Sequence, residues 1–340
     1  MDRWKVFIPS KSHHNAQVIT GFLMLKENGL DIEIIDDSHN QDNPFFNMPI
    51  IYAQYRGKKI IFDHWDGYQF PELIKRGLEW ADIYFKRSFS AEKNALYFPD
   101  ETQKMYPLGF NYHVTYRNSP FSEPLWKHLI KKLLGREING YFLPKVFEGH
   151  AHKAQGPAKI IFFTRLWDQN KLGLNSAMQE ERAQINKMRI DLLRALKERY
   201  GDAFIGGLND TQLSREMAPD LIVPAKYTGR KKYIALLHSC DICIGAMGLH
   251  ESIGWKTAEY IAAAKAIVNE SLHYSVPGDF EIGKNYLEFS TTNECIAAVQ
   301  KLVDNPQLLY DIKKANEVYY LNYLKPDSLV ANSLKIVNNL

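Results

Sequence analysis

The amino-acid sequence predicts an α/β fold made of two Rossmann-like domains. Short apolar runs of strand length alternate with longer segments whose apolar residues recur at helical spacing, which is typical of helices packed on a mainly parallel sheet. This alternation stops at residues 142–158, a stretch with Pro, Gly and polar residues, and then starts afresh. The length of 340 residues also suits about two domains. We therefore expect two α/β domains on either side of this stretch.

The first domain is predicted over residues 1–150. Short runs of β-branched and aromatic residues indicate its strands, and segments of helical period indicate its helices. The predicted strands are 4–8, 32–35, 50–55, 59–62, 83–85 and 105–107. The predicted helices are 15–28, 70–79 and 90–96.

The second domain is predicted over residues 158–325. It opens with a buried strand at 159–164 and a long amphipathic helix at 178–200, which ends at Gly201 because glycine readily takes the conformation that closes a helix. The later strands are 203–205, 242–244, 266–268 and 286–289, and the later helices are 231–237, 256–264, 293–304 and 306–320. Pro326 interrupts the last helical region, so residues 326–340 form a terminal helix.

Composition excludes several classes of protein. Lys and Arg number 42 against 39 Asp and Glu, so a net charge of +3 gives no basis for nucleic-acid binding. Hydrophobic residues make up 45% of the chain and charged residues 24%, which indicates a folded protein. Three cysteines cannot form a disulfide framework, and neither a signal peptide nor an apolar run of about 18 residues is present. We expect a cytoplasmic protein.

The most informative stretch is GAMGLHESIGWKTAE, residues 245–259. A buried strand leads into a glycine-bearing loop, which then opens a helix. The backbone N–H groups at such a helix start, around 252–256, carry the positive end of the helix dipole and suit a diphosphate. Gly248 and Gly254 would let the backbone approach such a ligand. The pattern therefore predicts a phosphate-binding loop.

The two glutamates of this stretch, Glu251 and Glu259, have the spacing found in retaining family 4 (group 1) glycosyltransferases, and residues 158–320 resemble the C-terminal domain of those GT-B enzymes. The resemblance implies two domains facing a cleft, with the final helix crossing back to the first. It implies a nucleotide-diphosphate sugar as donor, retention of configuration and no metal. Glu251 would face the transferred sugar, and Glu259 the ribose diol. The donor-binding residues implied in the loop are Gly248, His250, Glu251, Ser252, Ile253 and Gly254.

Two further segments extend the resemblance. Arg165, at the end of the first strand of the second domain, and Lys171 look like the pair that clamps the donor diphosphate, although Lys171 lies one residue further along than in the family. Arg165 would also stabilise charge that develops on the leaving diphosphate. Tyr227 and Arg230 lie in the segment expected near the nucleotide base. The alternative for each is a surface or strand-end residue without a ligand.

In the first domain, two loops that follow predicted strands carry candidate acceptor-binding residues, since ligands of open α/β sheets bind beyond the carboxyl ends of strands. Their candidates are Lys11, His13 and His14 in the first loop and Asp63, His64 and Asp66 in the second. If the reaction inverted the sugar, Asp63 or His64 could be its general base. Surface histidines, and an Asp63 that holds a backbone turn, are the structural alternatives.

The acceptor that the resemblance implies is a glycan or glycolipid in surface polysaccharide or glycoconjugate synthesis. Residues 124–136 have an apolar stripe flanked by Lys and Arg, which suits either peripheral membrane contact or ordinary packing. Neither Asp-x-Asp nor a zinc-type cluster occurs, so we expect no metal or other cofactor. Two other functions stay open, a nucleotide-sugar epimerase and a non-catalytic glycan-binding protein of the same fold.

Overall fold

The computed structural model describes residues 3–121, 130, 133–134, 142–224, 227 and 229–339. The first half of the chain forms one sheet, and the second half forms another. The strands of the first sheet are β1 Trp4–Ile8, β2 Ile32–Asp36, β3 Ile50–Tyr55, β4 Lys58–Asp63, β5 Ile83–Lys86 and β6 Met105–Pro107. Their order across the sheet is β2-β1-β3-β4-β5-β6.

This first sheet is parallel except at β3, which runs antiparallel to both β1 and β4. Only Arg56 and Gly57 separate β3 from β4, and both have positive φ angles, 50° and 79°. Two such residues form the tight turn that joins antiparallel neighbours, whereas a parallel neighbour requires a longer crossover. The alternating pattern alone predicts parallel strands, so this hairpin is a departure from it.

The second sheet has a Rossmann-type order. Its strands are β7 Ile160–Thr164, β8 Phe204–Leu208, β9 Ile242–Gly245, β10 Ala266–Glu270 and β11 Tyr286–Phe289. They are all parallel in the order β11-β10-β9-β7-β8, and a bridge between Leu208 and Ile222 adds one more parallel contact outside β8. The chain direction across the sheet therefore reverses between β7 and β9, where ligands of such sheets bind.

Helices cover these sheets. The described helices are α1 Ala16–Glu27, α2 Pro71–Trp80, α3 Ala91–Tyr97, α4 Ser176–Tyr200, α5 Gln212–Met217, α6 Arg230–Ser239, α7 Trp255–Ala262, α8 Thr292–Asp304, α9 Pro306–Tyr319 and α10 Pro326–Asn339. Helix α4 begins where the Asn175 side chain accepts a hydrogen bond from the backbone of Met178, and it ends at Gly201 with φ 48°, as the sequence predicts. Helix α5 has only six residues, too few to show a helical period, and the sequence did not indicate it.

The terminal helix α10 packs against α1 of the first half. At Gly21 of α1, a side-chain carbon would lie 2.1 Å from the carbonyl oxygen of Pro326, so only glycine permits this close approach. Gln17 also donates a hydrogen bond of 3.1 Å to the carbonyl of Leu324, just before α10. The end of the chain therefore belongs to the core of the first half.

The two halves pack directly on each other. One cluster of buried apolar residues draws on both, including Tyr112 and Phe147 from the first half and Ile253 and Tyr260 from the second. A backbone bridge also joins them, in which the N–H of Ser275 donates to the carbonyl of Phe89 at 2.8 Å. These contacts fix the loops of the two halves opposite each other. The prediction of two Rossmann-like α/β units facing a cleft is confirmed.

Residues 124–136, the predicted membrane-contacting segment, lie outside the described part of the chain except for 130, 133 and 134, whose apolar side chains are exposed. Within the described helices, none combines the length and hydrophobicity that crossing a bilayer requires.

Candidate active site

A cavity of about 860 Å³ lies between the halves, beyond the carboxyl ends of β4, β5, β7 and β9. Its N-terminal wall consists of Ser12, His14, Asn47, Pro49, His64, Trp65, Asp66, Gln69 and Arg87. Its C-terminal wall consists of the lining residues between 162 and 259. Among them, the charged residues are Arg165, Arg189, Arg230, Lys256 and Glu259, the histidine is His250, and the glycines are Gly248 and Gly254. Small-molecule sites commonly have volumes of roughly 300–1,000 Å³.

The glycine loop after β9 is folded tightly on itself. A side-chain carbon at Gly248 would lie 2.5 Å from the hydroxyl oxygen of Ser252, and one at Gly254 would lie 2.9 Å from the carbonyl oxygen of Ala246. These glycines therefore permit the packing of the loop, and because both also line the cavity, their role in ligand approach stays a prediction. His250 and Glu251 both have φ 59°, which is strained for residues with side chains and is common at ligand sites.

Helix α7 presents its positive end to the cavity. Gly254 precedes it without a side-chain cap, and its first turn contains no acidic residue. Gly254, Trp255 and Lys256 all line the cavity. Because the first N–H groups of a helix have no partner within the helix, this end can bind an anion.

Two cations of the C-terminal wall, Arg165 and Lys256, contact aromatic rings. Arg165 stacks on the ring of Trp167 at 4.0 Å, and the Lys256 ammonium lies 4.1 Å from the ring centre of Tyr233. Within the described parts of the chain, neither forms an ion pair with a carboxylate. Burial lowers the pKa of both side chains, although Arg165 is exposed and the Glu259 carboxylate partly opposes the effect at Lys256. A bound anion would favour the charged form of both side chains.

Arg189, on helix α4, is hydrogen-bonded to the loop after β7 and to the loop after β9, between which the strand order reverses. Its guanidinium donates to the carbonyl of Arg165 at 2.6 Å and to the carbonyl of Met247 at 2.7 Å. The Met247 N–H in turn donates to Glu270 at 2.6 Å. Burial lowers the pKa of Arg189 to about 10. This buried arginine therefore holds the loop after β7 and the loop after β9 in a fixed relation.

Glu259 lines the cavity, but its carboxylate already has partners. It accepts a hydrogen bond of 2.8 Å from the Tyr233 hydroxyl and pairs with Arg230 at 2.9 Å. Each oxygen therefore has one partner, and a ribose diol would share this carboxylate with Tyr233 and Arg230. A second cavity of about 330 Å³ adjoins the first here and is lined by Phe163, Asn209, Tyr227, Gly229, Arg230, Tyr233 and Lys256.

Glu251 and Lys171 do not line the described cavity. The Glu251 carboxylate pairs with Lys93 of α3 at 2.8 Å and lies 3.8 Å from the His273 ring. The hydrogen bond from Lys93 lowers the pKa of Glu251. Lys171 is exposed in the loop before α4. Lys256 lines the cavity together with Arg165, whereas Lys171 does not, and Glu251 forms a contact between the halves.

Asp63 is fully buried and does not contact the cavity, which corrects its assignment as a general base or acceptor ligand. One oxygen accepts hydrogen bonds of 2.9 Å from both Lys86 and Tyr84, and the other accepts one of 2.7 Å from the backbone of Trp65. With both oxygens occupied, Asp63 holds the start of the 64–69 loop. This outcome matches the structural alternative considered for it.

Asp66 lies on the N-terminal wall and pairs with Arg87. Arg87 is buried and also donates to the carbonyl of Ile253 at 2.6 Å, across the cavity from its own half. Gly67 makes the loops approach closely, because a side-chain carbon there would lie 3.1 Å from His250. The two halves therefore meet at one edge of the cavity.

Among the histidines of the first half, His14 and His64 line the cavity. His13 instead lies against His113 at 4.3 Å, and Lys11 pairs with Asp36 at 2.9 Å. Burial lowers the pKa of His14 and lowers that of His64 well below its ordinary value. Both imidazoles are therefore neutral at pH 7.

Sequence reasoning missed several residues of the cavity, including Lys256, Arg189, Trp167 and Gln69. Lys256 could have been found, because it is the second residue after the loop glycine Gly254 and falls in the first turn of the helix. Arg189 gives a weaker signal, a lone cation next to the apolar residues of an amphipathic helix. In the described residues, no group of three His, Cys, Asp or Glu side chains is placed to hold a metal ion.

No protein-family model matches the chain, and no curated protein matches its sequence. Among solved structures it is similar to WaaG, a glycosyltransferase involved in lipopolysaccharide biosynthesis, at 9% identity over 98% of this chain and 97% of that one, with a TM-score of 0.43. HepE of Anabaena in complex with UDP matches at 11% identity over 80% and 68%, with a TM-score of 0.44. The C-terminal domain of LpcC, a group 1 glycosyl transferase of Francisella tularensis, matches at 13% identity over 52% and 95%, with a TM-score of 0.36. The chain is thus similar in structure to glycosyltransferases, as its motif predicts. This similarity concerns the fold.

Proposed function

We propose that this protein is a glycosyltransferase that moves a sugar from a nucleotide-diphosphate sugar to an acceptor hydroxyl. The observation that supports it most is the C-terminal wall, where Arg165, Lys256 and the start of α7 face one cavity. Two cations without a carboxylate partner and an uncapped helix end favour a ligand with at least two negative charges. A diphosphate has that charge.

The adjoining second cavity supports a nucleoside at one end of the diphosphate. Phe163, Tyr227 and Tyr233 give it aromatic surface, and Asn209 gives it an amide that can both donate and accept hydrogen bonds. Lys256 and Arg230 line both cavities. We place the base in the second cavity, the diphosphate at Lys256 and Arg165, and the sugar in the larger cavity.

In the proposed reaction the bond between the anomeric carbon and the diphosphate oxygen breaks, and a bond to the acceptor oxygen forms. The acceptor proton passes to the leaving diphosphate. Arg165, Lys256 and the N–H groups of α7 stabilise the negative charge that develops there, so we expect donor binding without added metal. Retention of configuration is proposed from the spacing of Glu251 and Glu259, and a glycan or glycolipid acceptor is proposed with it.

Thermal unfolding with millimolar UDP, GDP, dTDP or CMP, in the presence of EDTA, tests the donor site. A ligand at about 100 times its dissociation constant adds roughly 2.7 kcal/mol to the native state. We expect one diphosphate to raise the midpoint and its nucleoside to leave it unchanged. If no nucleotide raises the midpoint, the proposed donor site is wrong.

Release of free sugar from the matching nucleotide sugar then tests catalysis, since water can replace the acceptor. Proton NMR of the first product distinguishes retention from inversion by its anomeric coupling. Nucleotide binding without any turnover, in the presence of a broad set of acceptors, would favour a non-catalytic binding protein instead.

A further inference from the structure

The N-terminal wall contains hydrogen-bonding atoms that have no partner in the described structure. They are Nδ1 of His14, Nε2 of His64 and Oε1 of Gln69, all on side chains that line the cavity. His64 is only 1% exposed, so its free nitrogen is shielded from bulk water. A buried polar atom without a partner destabilises the protein, and a bound ligand can provide the missing hydrogen bond.

The charges of this wall are neutralised within the protein. Arg87 pairs with Asp66, and these are the charged members of the N-terminal wall among the described residues. Behind the wall, Lys86 pairs with Asp63 at 2.9 Å. Burial keeps His14 neutral, and the pKa of His64 is lowered even further. The wall therefore offers hydrogen bonds but no free charge to a ligand.

An aromatic surface lies beside these atoms. Trp65, which lies between His64 and Asp66 in the sequence, lines the cavity. The centre of its ring lies 5.0 Å from that of Phe70. Phe70 is 45% exposed. A pyranose ring has hydroxyls around its edge and apolar C–H groups on its faces, so it suits a wall that combines an indole ring with neutral donors and acceptors.

From this arrangement we infer that the N-terminal wall is a subsite for an uncharged sugar ring of the acceptor, with hydroxyls bonded by His14, His64 and Gln69 and a face against Trp65. This inference rests on the proposed function and narrows its acceptor. A phosphorylated or carboxylated acceptor ring would need a free cation on this wall, and the described lining residues provide none.

Saturation-transfer difference NMR tests the subsite directly. The probes are the methyl glycosides of glucose, galactose, mannose and N-acetylglucosamine, compared with glucuronate and glucose 6-phosphate, each with and without UDP. The variants are Gln69→Leu, which keeps the size of the side chain and removes its oxygen, and Trp65→Ala. Gln103→Leu is the matched control, since Gln103 is exposed and does not line the cavity.

We expect saturation transfer from the protein to at least one neutral glycoside. Loss of a hydrogen bond should weaken its affinity about fivefold or more in Gln69→Leu. Trp65→Ala should reduce it as well, and Gln103→Leu should leave it unchanged. The unfolding midpoint of each variant, measured without ligand, shows whether the variant is folded.

With UDP present to occupy the C-terminal cations, stronger transfer to the anionic sugars than to every neutral glycoside, or no transfer to any neutral glycoside, would overturn the subsite. Equal transfer in the wild type, Gln69→Leu and Trp65→Ala would overturn it too. The nucleotide-induced rise in midpoint serves as the separate readout of the donor site. If that rise is present and neutral sugars do not bind, the subsite is wrong and the proposed function stands. If the rise is absent, the proposed function itself fails.

Discussion

The two walls of the cavity are built alike but differ in how their charges are paired. Both consist mainly of loops that follow the carboxyl ends of strands, and each carries an arginine directly after a strand. On the N-terminal wall, Arg87 is neutralised by Asp66 and is also bonded to the Ile253 carbonyl. On the C-terminal wall, Arg165 stacks on the Trp167 ring and forms no ion pair with a carboxylate among the described residues.

The pairing of charges on each wall indicates the charge of the ligand that the wall suits. A cation that the protein pairs internally stabilises the fold, whereas a partly buried cation without a counter-charge is costly until an anion binds. Arg165, which is exposed, and Lys256, which lies in the field of the Glu259 carboxylate, form no ion pair among the described residues and are closer to the second kind. Under the proposed function, the charged diphosphate binds to the C-terminal wall and the uncharged hydroxyls of the acceptor bind to the N-terminal wall.

The largest expected effect concerns Glu259, the carboxylate of the C-terminal wall among its described residues. Replacing it by Ala leaves Arg230 without its ion pair and Tyr233 without its hydrogen-bond acceptor. We expect a loss of about 3 kcal/mol in the free energy of unfolding, measured by urea denaturation. Nucleotide affinity should fall as well. Glu216→Ala, at an exposed glutamate, is the control. A loss under about 1 kcal/mol would show that the pair contributes little.

The next effect compares Arg165 and Lys256, which line the cavity, with Lys171, the second cation of the predicted diphosphate clamp. Arg165→Met and Lys256→Met should each weaken nucleoside diphosphate binding about 10- to 100-fold, since hydrogen bonds to charged groups contribute about 1.5–3 kcal/mol. Lys171→Met should change it less than about twofold, because Lys171 lies outside the cavity. Isothermal titration calorimetry gives all three constants. An equal loss in Lys171→Met would show that the loop before α4 closes over the ligand.

A smaller effect concerns His113, a histidine of the first half that lies against His13, and tests whether its imidazole is neutral in the folded protein. Burial lowers the pKa of His113 to about 4. Between about pH 6.5 and pH 4 the unfolded chain binds this proton more readily than the folded chain does, so stability falls as the pH falls through that window. When the pH is lowered from 7 to 5, the free energy of unfolding, measured with urea, should fall by about 1 kcal/mol more in the wild type than in His113→Gln. Identical pH dependence in the two proteins would contradict this assignment.

The smallest effect concerns the contact between Lys93 and Glu251. Both side chains are partly exposed, so Lys93→Met should lower stability by less than about 1 kcal/mol. It also releases the Glu251 carboxylate. If Glu251 faces the transferred sugar when donor is bound, Glu251→Gln should reduce turnover more than nucleotide affinity. A loss of several kcal/mol in Lys93→Met would show instead that this pair holds the halves together.

The sequence predicted much of the fold because its signals are local. The strand runs, the Gly201 helix end and the loop before α7 each depend on neighbouring residues. Arg165 and the 248–254 loop were recognised as donor-binding candidates for the same reason. The partners of Glu251 and Asp63 were not, since Lys93 lies 158 positions from Glu251 and Lys86 lies 23 positions from Asp63. Which carboxylates are free to bind a ligand depends on such distant pairs.

Binding of inorganic pyrophosphate, followed by phosphorus-31 NMR with EDTA present, tests the difference between the walls most directly, because this probe has the charge of the diphosphate and neither base nor sugar. The wild type should bind it, Arg165→Met should bind it about tenfold more weakly or worse, and Gln69→Leu should bind it as the wild type does. Equal weakening by both substitutions, or none by Arg165→Met, would contradict a charged C-terminal wall opposite a neutral N-terminal one.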